Sequence, residues 1–254
     1  MRTVAIIQAR MGSTRLPGKI MADLCGKPML QHIIERVKRA KLVDEVVVAT
    51  PFSEDQYRPI RDLCIDDTPA SNHLAWVLAP KVDENDLIGR YCEAARIVEA
   101  DIIVRICADN PFVDPDEIDR AVAWHSDRPG FMTSNMHQHP AQCMATGQTN
   151  GYPDGIGCEV YDFEILSWMH KRLHFGDQRE HPHIWWHRAG LIRSPRCPSE
   201  ISRPDLRLDV NTQSDLDYVR SIYEILYTKN PQFTTKEVID AIDENNLEKR
   251  PTAS

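Results

Sequence analysis

Short runs of apolar, β-branched residues alternate along the chain with segments whose apolar positions recur every three to four residues. The runs at 3–7, 45–50 and 102–107 are typical of buried strands. Apolar positions at helical spacing predict amphipathic helices at 28–41 and 84–98. Strands linked by helices in this way form parallel pairs with right-handed crossovers. The pattern therefore predicts an α/β fold with a doubly wound, mostly parallel sheet.

Weaker patterns extend this arrangement along the rest of the chain. They predict strands at 131–134, 158–161 and 206–212, helices at 53–63, 115–126, 163–172 and 237–242, a helix at 215–226 capped by Ser214, and helical turns at 72–78. Residues 137–157 show no periodic pattern, and a structureless span of that length is usually a functional loop or a subunit contact. We therefore expect one domain over residues 1–254, with a protruding loop within 135–160, and a homodimer.

Composition and charge narrow the class of protein. With 42% hydrophobic and 27% charged residues, the chain is typical of a globular protein. Its seven cysteines include no Cys-x-x-Cys pair, which favours reduced thiols over a disulfide framework or a zinc ribbon. No apolar run reaches 18 residues, so we expect a cytoplasmic protein without membrane contact.

The charge is unevenly distributed. The formal net charge of −8 disfavours general nucleic-acid binding. Residues 1–41, however, hold nine Lys and Arg against two acidic residues. This local excess of positive charge favours a compact anionic ligand over a long polyanion.

The segment 8–19 combines the features of a phosphate-binding loop. It follows a predicted strand, contains Gly12 and Gly18, and carries three cations and no acid. Glycines let the backbone approach an oxyanion closely, and exposed N–H groups with fixed cations can hold a polyphosphate. The spacing fits neither a Walker A loop nor a dinucleotide fingerprint. A basic surface turn is the plainer alternative.

The same segment carries a resemblance to a known family. Ile-Ile-Gln-Ala-Arg-Met-Gly-Ser-Thr-Arg-Leu-Pro-Gly-Lys, residues 6–19, resembles the first motif of the CMP-sugar synthetases, which are cytidylyltransferases that activate 3-deoxy-octulosonate and sialic-type acids, and it is most similar to their spore-coat-polysaccharide branch. Residues 86–111 and 152–160 resemble the same branch. The resemblance implies a Rossmann-like nucleotidyltransferase fold of the nucleotide-diphospho-sugar transferase type. It also implies a set of nucleotide-binding residues: Ala9, Arg10, Gly12, Ser13, Arg15, Lys19 and Asp109.

Two aspartates are candidates for a metal site. Asp109 follows the strand at 102–107, and Asp209 is the carboxylate before the turn in the predicted strand segment 206–212. Ends of strands in an open α/β sheet meet at one edge, and carboxylates suit Mg²⁺. Each could instead be an ordinary strand-end or capping aspartate. The pattern at 209–216 also resembles the family's second metal-aspartate motif, which implies Mg²⁺ on both residues, with Arg10 and Lys19 completing the catalytic set.

The implied reaction transfers CMP from CTP to a hydroxyl of a small acidic sugar and releases pyrophosphate. Candidates for the acceptor pocket are Asp154, Glu159, Glu180 and His181, and either Arg179 or Arg188 could bind the acceptor carboxylate. The chain departs from the family at Cys107-Ala108-Asp109. Octulosonate-activating members have Gln-Gly-Asp there, so this chain lacks the side-chain amide of that glutamine.

Three alternatives stay open. A nucleotidyltransferase of the same fold could use another nucleotide or a phosphorylated or phosphonate acceptor, since residues 66–83 show no match to the family. A non-catalytic, glycosyltransferase-like nucleotide-binding module is a second reading. The histidines at 181, 183 and 187 could form a zinc site, although we regard a wall of the sugar pocket as the better interpretation.

Overall fold

A computed structural model describes residues 1–65, 76–78, 81–136, 149–173 and 177–247. Seven of its strands form one sheet in the order β5-β4-β1-β6-β8-β7-β9, and β2 and β3 form a small hairpin. The strands are β1 Thr3–Gln8, β2 Asp23–Leu24, β3 Lys27–Pro28, β4 Glu45–Ala49, β5 Trp76–Leu78, β6 Ile102–Cys107, β7 Met132–Ser134, β8 Glu159–Asp162 and β9 Ile192–Arg193.

The sheet is mostly parallel. β1 pairs in parallel with β4 and β6, and β4 pairs in parallel with β5. β8 runs antiparallel to both β6 and β7, and β7 pairs in parallel with β9. Within the described residues, β8 is thus the strand that reverses direction. The predicted doubly wound, mostly parallel α/β fold is confirmed.

Helices cover both faces of this sheet. They are α1 Met29–Val37, α2 Glu54–Ile65, α3 Leu87–Ile97, α4 Pro115–Ser126, α5 Phe163–Arg172, α6 Asp177–Glu180, α7 His183–Ala189, α8 Gln213–Leu226 and α9 Thr235–Glu244. Alternate residues of β1 point to opposite faces, as pleating requires. Ala5 and Ile7 enter a cluster with α1, α4, α8 and α9, whereas Val4 and Ile6 enter a second cluster with α3, α5 and α7.

Local sequence signals set where several helices begin. The side chain of Asp86 accepts a hydrogen bond from the N–H of Gly89 at the start of α3, and Asp114 does the same for the first turn of α4. Thr212 and Thr234 form capping boxes at α8 and α9. Thr212, and not the predicted Ser214, is therefore the N-cap of α8, because its backbone is extended while Ser214 is already helical.

Two further predictions of local structure were wrong. Residues 76–78, predicted as part of a helical turn, form β5, because pairing with β4 overrides the weak local pattern. Residues 206–212 form no regular strand. Arg207 makes a single parallel bridge to Asp154 at this place.

The last part of the segment 137–157, which shows no periodic pattern in the sequence, is packed into the core. Tyr152 and Ile156 are fully buried, so residues 150–158 do not protrude. An added Cβ at Gly157 would meet the carbonyl oxygen of Asn135 at 2.5 Å, which shows how closely this segment packs beside β7. Residues 137–148 of the predicted loop or arm lie outside the described part of the chain. We keep the prediction of one domain, since β1 and β9 share a sheet.

Candidate active site

The loop 9–18 leaves β1 at the carboxyl edge of the sheet. The backbone N–H of Ala9 still donates to the carbonyl of Ala49 on β4, at 3.1 Å. Beyond it, the N–H groups of Met11 and Gly12 both donate to Oε1 of Gln56 on α2, at 2.6 and 3.2 Å. Gln56 therefore holds the first turn of the loop. Because it is 45 residues away from Met11 in the sequence, local patterns do not reveal this contact.

The second half of the loop closes back on its first half. The N–H groups of Ser13 and Gly18 donate to the carbonyl of Met11, at 3.0 and 2.9 Å. Gly18 has φ of +71°, a left-handed conformation that suits glycine. A short 3-10 helix, Lys19–Met21, follows at once. This closure directs Lys19 toward the C-terminal half of the chain.

Lys19 joins the loop to Asp109 and to the two residues that follow Asp209. Its Nζ donates to the carbonyl of Val210 at 2.6 Å and lies 3.5 Å from both Oδ2 of Asp109 and Oδ1 of Asn211. Only 12% of its side chain is exposed. Lys19, Asp109 and residues 209–211 thus meet at one place, although they are distant in sequence.

Asp109 and Asp209 lie on neighbouring chain segments. The N–H of Val210, adjacent to Asp209, donates to the carbonyl of Asp109 at 2.8 Å. The carboxylate of Asp209 accepts from Nη2 of Arg207 at 3.3 Å and from the amide of Asn211. The backbone segments that carry the two aspartates are therefore adjacent, and a shared metal site on their carboxylates stays a prediction.

The donor set of this cluster fits Mg²⁺. That ion binds through one or two carboxylates and otherwise through phosphate oxygens and water. Asp109 and Asp209 supply two hard oxygen donors, and Asp109 remains one-third exposed. In the described part of the chain, no group of three His, Cys, Asp or Glu side chains could hold a metal ion. A closed site of zinc type is therefore not present among those residues.

Other predicted nucleotide-binding residues lie around this cluster. Nη2 of Arg15 donates to Oδ1 of Asn211 at 2.6 Å, so Arg15 reaches the same segment as Lys19. Arg10 is half-exposed, and its Nη1 lies 3.6 Å from Oε1 of Glu84. Gly12 is exposed and Ser13 is half-buried on the loop between them. Arg10 thus points to the α3 side of the loop and Arg15 to the α8 side.

Asp154 belongs to the same neighbourhood. Its backbone exchanges hydrogen bonds with Leu206 and Leu208, and its carboxylate pairs with Arg207 at 3.8 Å. Gly155 follows with φ of +95°, and an added Cβ would lie 2.6 Å from the backbone nitrogen of Asp209. Of the predicted acceptor residues, Asp154 is thereby placed beside a candidate metal ligand.

The prediction that Glu159 binds the acceptor needs correction. Its carboxylate pairs with Nη1 of Arg105 at 2.8 Å, and both side chains are less than one-tenth exposed. Arg105 also contacts Gln8, which accepts from the hydroxyl of Tyr91. Glu159 is therefore engaged inside the α3 face of the sheet, because β8 pairs with β6 in a register that places it opposite Arg105.

The histidine-rich segment lies on α6 and α7. Glu180 ends α6, His181 follows it in an exposed position, and its ring lies 5.7 Å from that of His183. Neither Glu180 nor His181 takes part in the contacts around Lys19 described above. Arg179, one suggested partner of the acceptor carboxylate, forms a close ion pair with Asp86. Arg188, the other, is exposed.

The cysteine near the aspartates is buried and protonated at neutral pH. Burial raises the pKa of the Cys107 thiol to about 12. A thiol in that state is a poor nucleophile. The cluster is therefore equipped for charge stabilisation by cations and carboxylates and not for covalent catalysis through Cys107.

Sequence reasoning missed Arg207 as well as Gln56. Arg207 pairs with both Asp154 and Asp209. A signal was present, because residues two apart in an extended segment share a face. Arg207 and Asp209 have that spacing.

The fold and this cluster define the class of protein. In this mostly parallel sheet, the first strand leads into a cationic, glycine-containing loop, and the lysine of that loop lies beside Asp109 and residues 210–211. This is the arrangement of a nucleotidyltransferase. The chain belongs to the cytidylyltransferase family, whose model matches residues 4–143, more than half of the sequence. The predicted family is confirmed.

Related sequences support both predicted branches. The chain is 38% identical over 135 residues to 3-deoxy-manno-octulosonate cytidylyltransferase of Trichlorobacter lovleyi, an alignment that covers 52% of this chain and 48% of that protein. It spans about half the length of this relative. It is 25% identical over 245 residues to the spore coat polysaccharide biosynthesis protein SpsF of Bacillus subtilis, with 94% of this chain and 93% of that protein covered.

Solved structures share the fold. A cytidylyltransferase from Leptospira borgpetersenii aligns with a TM-score of 0.82 and 25% identity, covering 100% of this chain and 99% of that one. A CMP:2-keto-3-deoxy-manno-octonic acid synthetase complexed with CTP aligns with a TM-score of 0.62 and 21% identity, covering 89% of this chain and 99% of that one. In the described part of this chain, no helix has the length and apolarity needed to span a bilayer.

Proposed function

We propose that this enzyme transfers CMP from CTP to a hydroxyl of a small acidic sugar, releasing pyrophosphate, for the synthesis of a surface glycan. The observation that carries the proposal is the meeting of Lys19 with Asp109 and residues 209–211. At the end of the loop that follows β1, Lys19 supplies a cation for a phosphate, and Asp109 and Asp209 supply carboxylates for a divalent ion. The relatives named above act on octulosonate or serve polysaccharide synthesis, which supports a sugar as the acceptor.

The reaction requires charge stabilisation above all. The acceptor hydroxyl attacks the α-phosphorus, a new P–O bond forms, and the bond to the β-phosphate oxygen breaks. Negative charge builds on the non-bridging oxygens and on pyrophosphate. Lys19 and Arg15 bind the phosphates from one side of the loop and Arg10 binds them from the other. The loop backbone near Gly12 lets the phosphates approach.

Asp109 and Asp209 would hold Mg²⁺. When bound, that ion acts as a Lewis acid and orients the phosphates. Arg207 and Lys19 offset part of the mutual repulsion between the carboxylates, because each cation lies near one of them. The hydrogen bond from the N–H of Val210 to the carbonyl of Asp109 holds the two backbone segments together, which supports a preorganised site.

Asp154 is our candidate for an acceptor contact near the reacting groups, with Glu180 and His181 in a more distant wall. An acidic acceptor needs a cation, and both Arg179, which pairs with Asp86, and Arg188, which is exposed, remain candidates for this role. We also propose a cytoplasmic homodimer. Trp168 supports this, because 44% of it is exposed although it packs 5.5 Å from Trp185, as expected at a subunit contact.

The test measures pyrophosphate release from each of CTP, ATP, GTP and UTP with Mg²⁺ and a panel of 2-keto-3-deoxy sugar acids. We expect turnover with CTP, and none after chelation of the metal. Asp209→Asn should lower kcat at least ~10²-fold, because it removes one preorganised electrostatic group. Asp205→Asn, in the same segment but paired with Arg203 at the surface, is the matched control and should retain activity.

Two results would contradict the proposal. Near-normal turnover of Asp209→Asn would exclude the metal assignment. Turnover with another nucleotide and not with CTP would exclude CMP transfer while leaving the nucleotidyltransferase class intact.

A further inference from the structure

Gln8 lies where the order of the strands reverses. The chain passes from β1 to β4 and β5 on one side and then returns to β6 on the other side of β1. Open α/β sheets bind ligands at the carboxyl ends of the strands beside such a switch point. Gln8 is the last residue of β1, and its register partner Cys107 is the last residue of β6. Gln8 therefore occupies the place in this sheet where a ligand is expected.

Two hydrogen bonds fix the orientation of the Gln8 amide. Its Oε1 accepts from the hydroxyl of Tyr91 at 3.0 Å and from Nε of Arg105 at 3.3 Å. Because the guanidinium of arginine can only donate, the amide oxygen must face it, and Nε2 must point away from it. Gln8 is half-buried, and in the described part of the chain its Nε2 has no hydrogen-bond partner and is not enclosed by protein. The amide thus presents an accessible donor that no described residue uses.

The groups that hold this amide are buried. Tyr91 is fully buried, and Arg105 and Glu159 are 6% and 4% exposed. Nη1 of Arg105 donates to Oε2 of Glu159 at 2.8 Å, so the guanidinium that contacts Gln8 is itself held in place. A buried ion pair is weak evidence for stability, because taking two charges out of water is costly. A role in fixing Gln8 accounts for the presence of this pair inside the sheet.

The chemistry of the donor favours the base of a nucleotide. Gln8 directly precedes the loop 9–18, whose cations we assign to the phosphates, and Arg10 points to the same α3 side. An amide whose oxygen is already engaged can donate to a ligand but cannot accept from it. The ring of cytosine carries adjacent acceptors at O2 and N3, whereas the ring of uracil carries an N–H at N3. A fixed donor that faces this edge therefore favours cytosine, because the N–H of uracil would meet another N–H.

We propose that Gln8 is a specificity-determining residue whose Nε2 donates to the N3 edge of the cytosine ring of CTP, and that Arg105 and Glu159 are positioning residues that act through Gln8. This inference rests on the proposed function, since it assigns a residue to the nucleotide of that reaction.

The test measures the dissociation constants of CTP and UTP by calorimetric titration with Mg²⁺ and without acceptor, and it uses tripolyphosphate as a ligand that lacks the base. Gln8→Met removes the donor at constant charge, and we expect it to weaken CTP binding about three- to tenfold, the effect of losing one neutral hydrogen bond. Tripolyphosphate binding should stay unchanged. Gln31→Met, on α1, is the matched control and should bind both nucleotides like the wild type.

Two further variants test the orientation of the amide. Gln8→Glu keeps an oxygen for Arg105 and Tyr91 and replaces the NH2 group by an acceptor. We expect it to reverse the preference for CTP over UTP, because a carboxylate accepts from the N–H of uracil. The added charge alone would not do this, since both nucleotides carry the same triphosphate. The double variant Arg105→Met/Glu159→Met leaves Gln8 without the guanidinium that orients it, so its preference for CTP should fall at least about threefold while tripolyphosphate binding stays unchanged.

Several results would overturn the inference. An unchanged affinity of Gln8→Met for CTP is one, and an equal loss for CTP and tripolyphosphate is another, because Gln8 would then act on the loop. A double variant with the wild-type preference would overturn the positioning role of Arg105 and Glu159. A wild type that binds CTP no more tightly than UTP would overturn the proposed function as well. A wild type that prefers CTP, with Gln8 variants that keep this preference, would overturn this inference alone.

Discussion

The buried pair of Arg105 and Glu159 leads to a prediction that separates a structural role from acceptor binding. Replacing Glu159 by Met removes one charge and leaves the guanidinium of Arg105 inside the sheet, where Gln8 at 3.3 Å is its other hydrogen-bond partner in the described structure. Both side chains of the pair are less than one-tenth exposed. An unpaired buried charge of this kind destabilises a protein by about 3–5 kcal/mol.

That cost is large enough to measure as a melting temperature. For a protein of this size, each kcal/mol corresponds to about 2–4 °C, so Glu159→Met should lower the Tm by about 6–20 °C. Glu93→Met breaks the exposed pair with Arg96 and is the matched control. Exposed pairs contribute about 0–1 kcal/mol, so its Tm should fall by less than about 4 °C.

The double variant Arg105→Met/Glu159→Met completes the cycle. Because an apolar pair can replace a buried ion pair at little cost, its Tm should recover toward that of the wild type. The KM for the acceptor should change little in the double variant if the pair is structural. A Tm for Glu159→Met equal to that of Glu93→Met, together with a raised acceptor KM, would refute this reasoning and restore Glu159 as an acceptor contact.

Two further predictions concern a glycine and a histidine. Gly155→Ala should lower both stability and kcat, because its Cβ would meet the backbone nitrogen of Asp209 at 2.6 Å. Gly190→Ala is the control: it has φ of +67° and no atom within 4 Å of the added Cβ, so it should cost only the backbone strain of about 1 kcal/mol. Equal losses of stability in urea unfolding would contradict this prediction. Burial lowers the pKa of His32 despite its hydrogen bond to the carbonyl of Leu24, with Glu35 opposing the shift and Lys27 and Arg36 adding to it. The unfolded chain then binds a proton that the folded chain does not, so stability should fall as the pH drops below about 6.5. Urea unfolding at pH 7.5 and 5.5 should show a smaller loss in His32→Gln, and an identical loss would contradict the assignment.

Local patterns were sufficient for the regular framework of the protein. The apolar runs of β1, β4 and β6 and the helical spacing of α1 and α3 depend on residues near one another in the chain. Parallel pairing then followed from the alternation of strands and helices. The loop 8–19 was recognisable for the same reason, since its glycines and cations form one continuous segment.

The tertiary structure decided which side chains meet. Three contacts show this: the backbone bond between Asp109 and Val210, the hydrogen bonds of Gln56 to the loop, and the buried pair of Glu159 with Arg105. They join residues 44 to 101 positions apart. These contacts depend on strand order and register, and register decides which face a side chain occupies. Sequence alone thus determined that this chain carries a phosphate-type loop, an aspartate directly after β6 and a second candidate aspartate before α8. Only the packed sheet decided that Lys19 lies between Asp109 and the residues after Asp209, and that Glu159 pairs with Arg105.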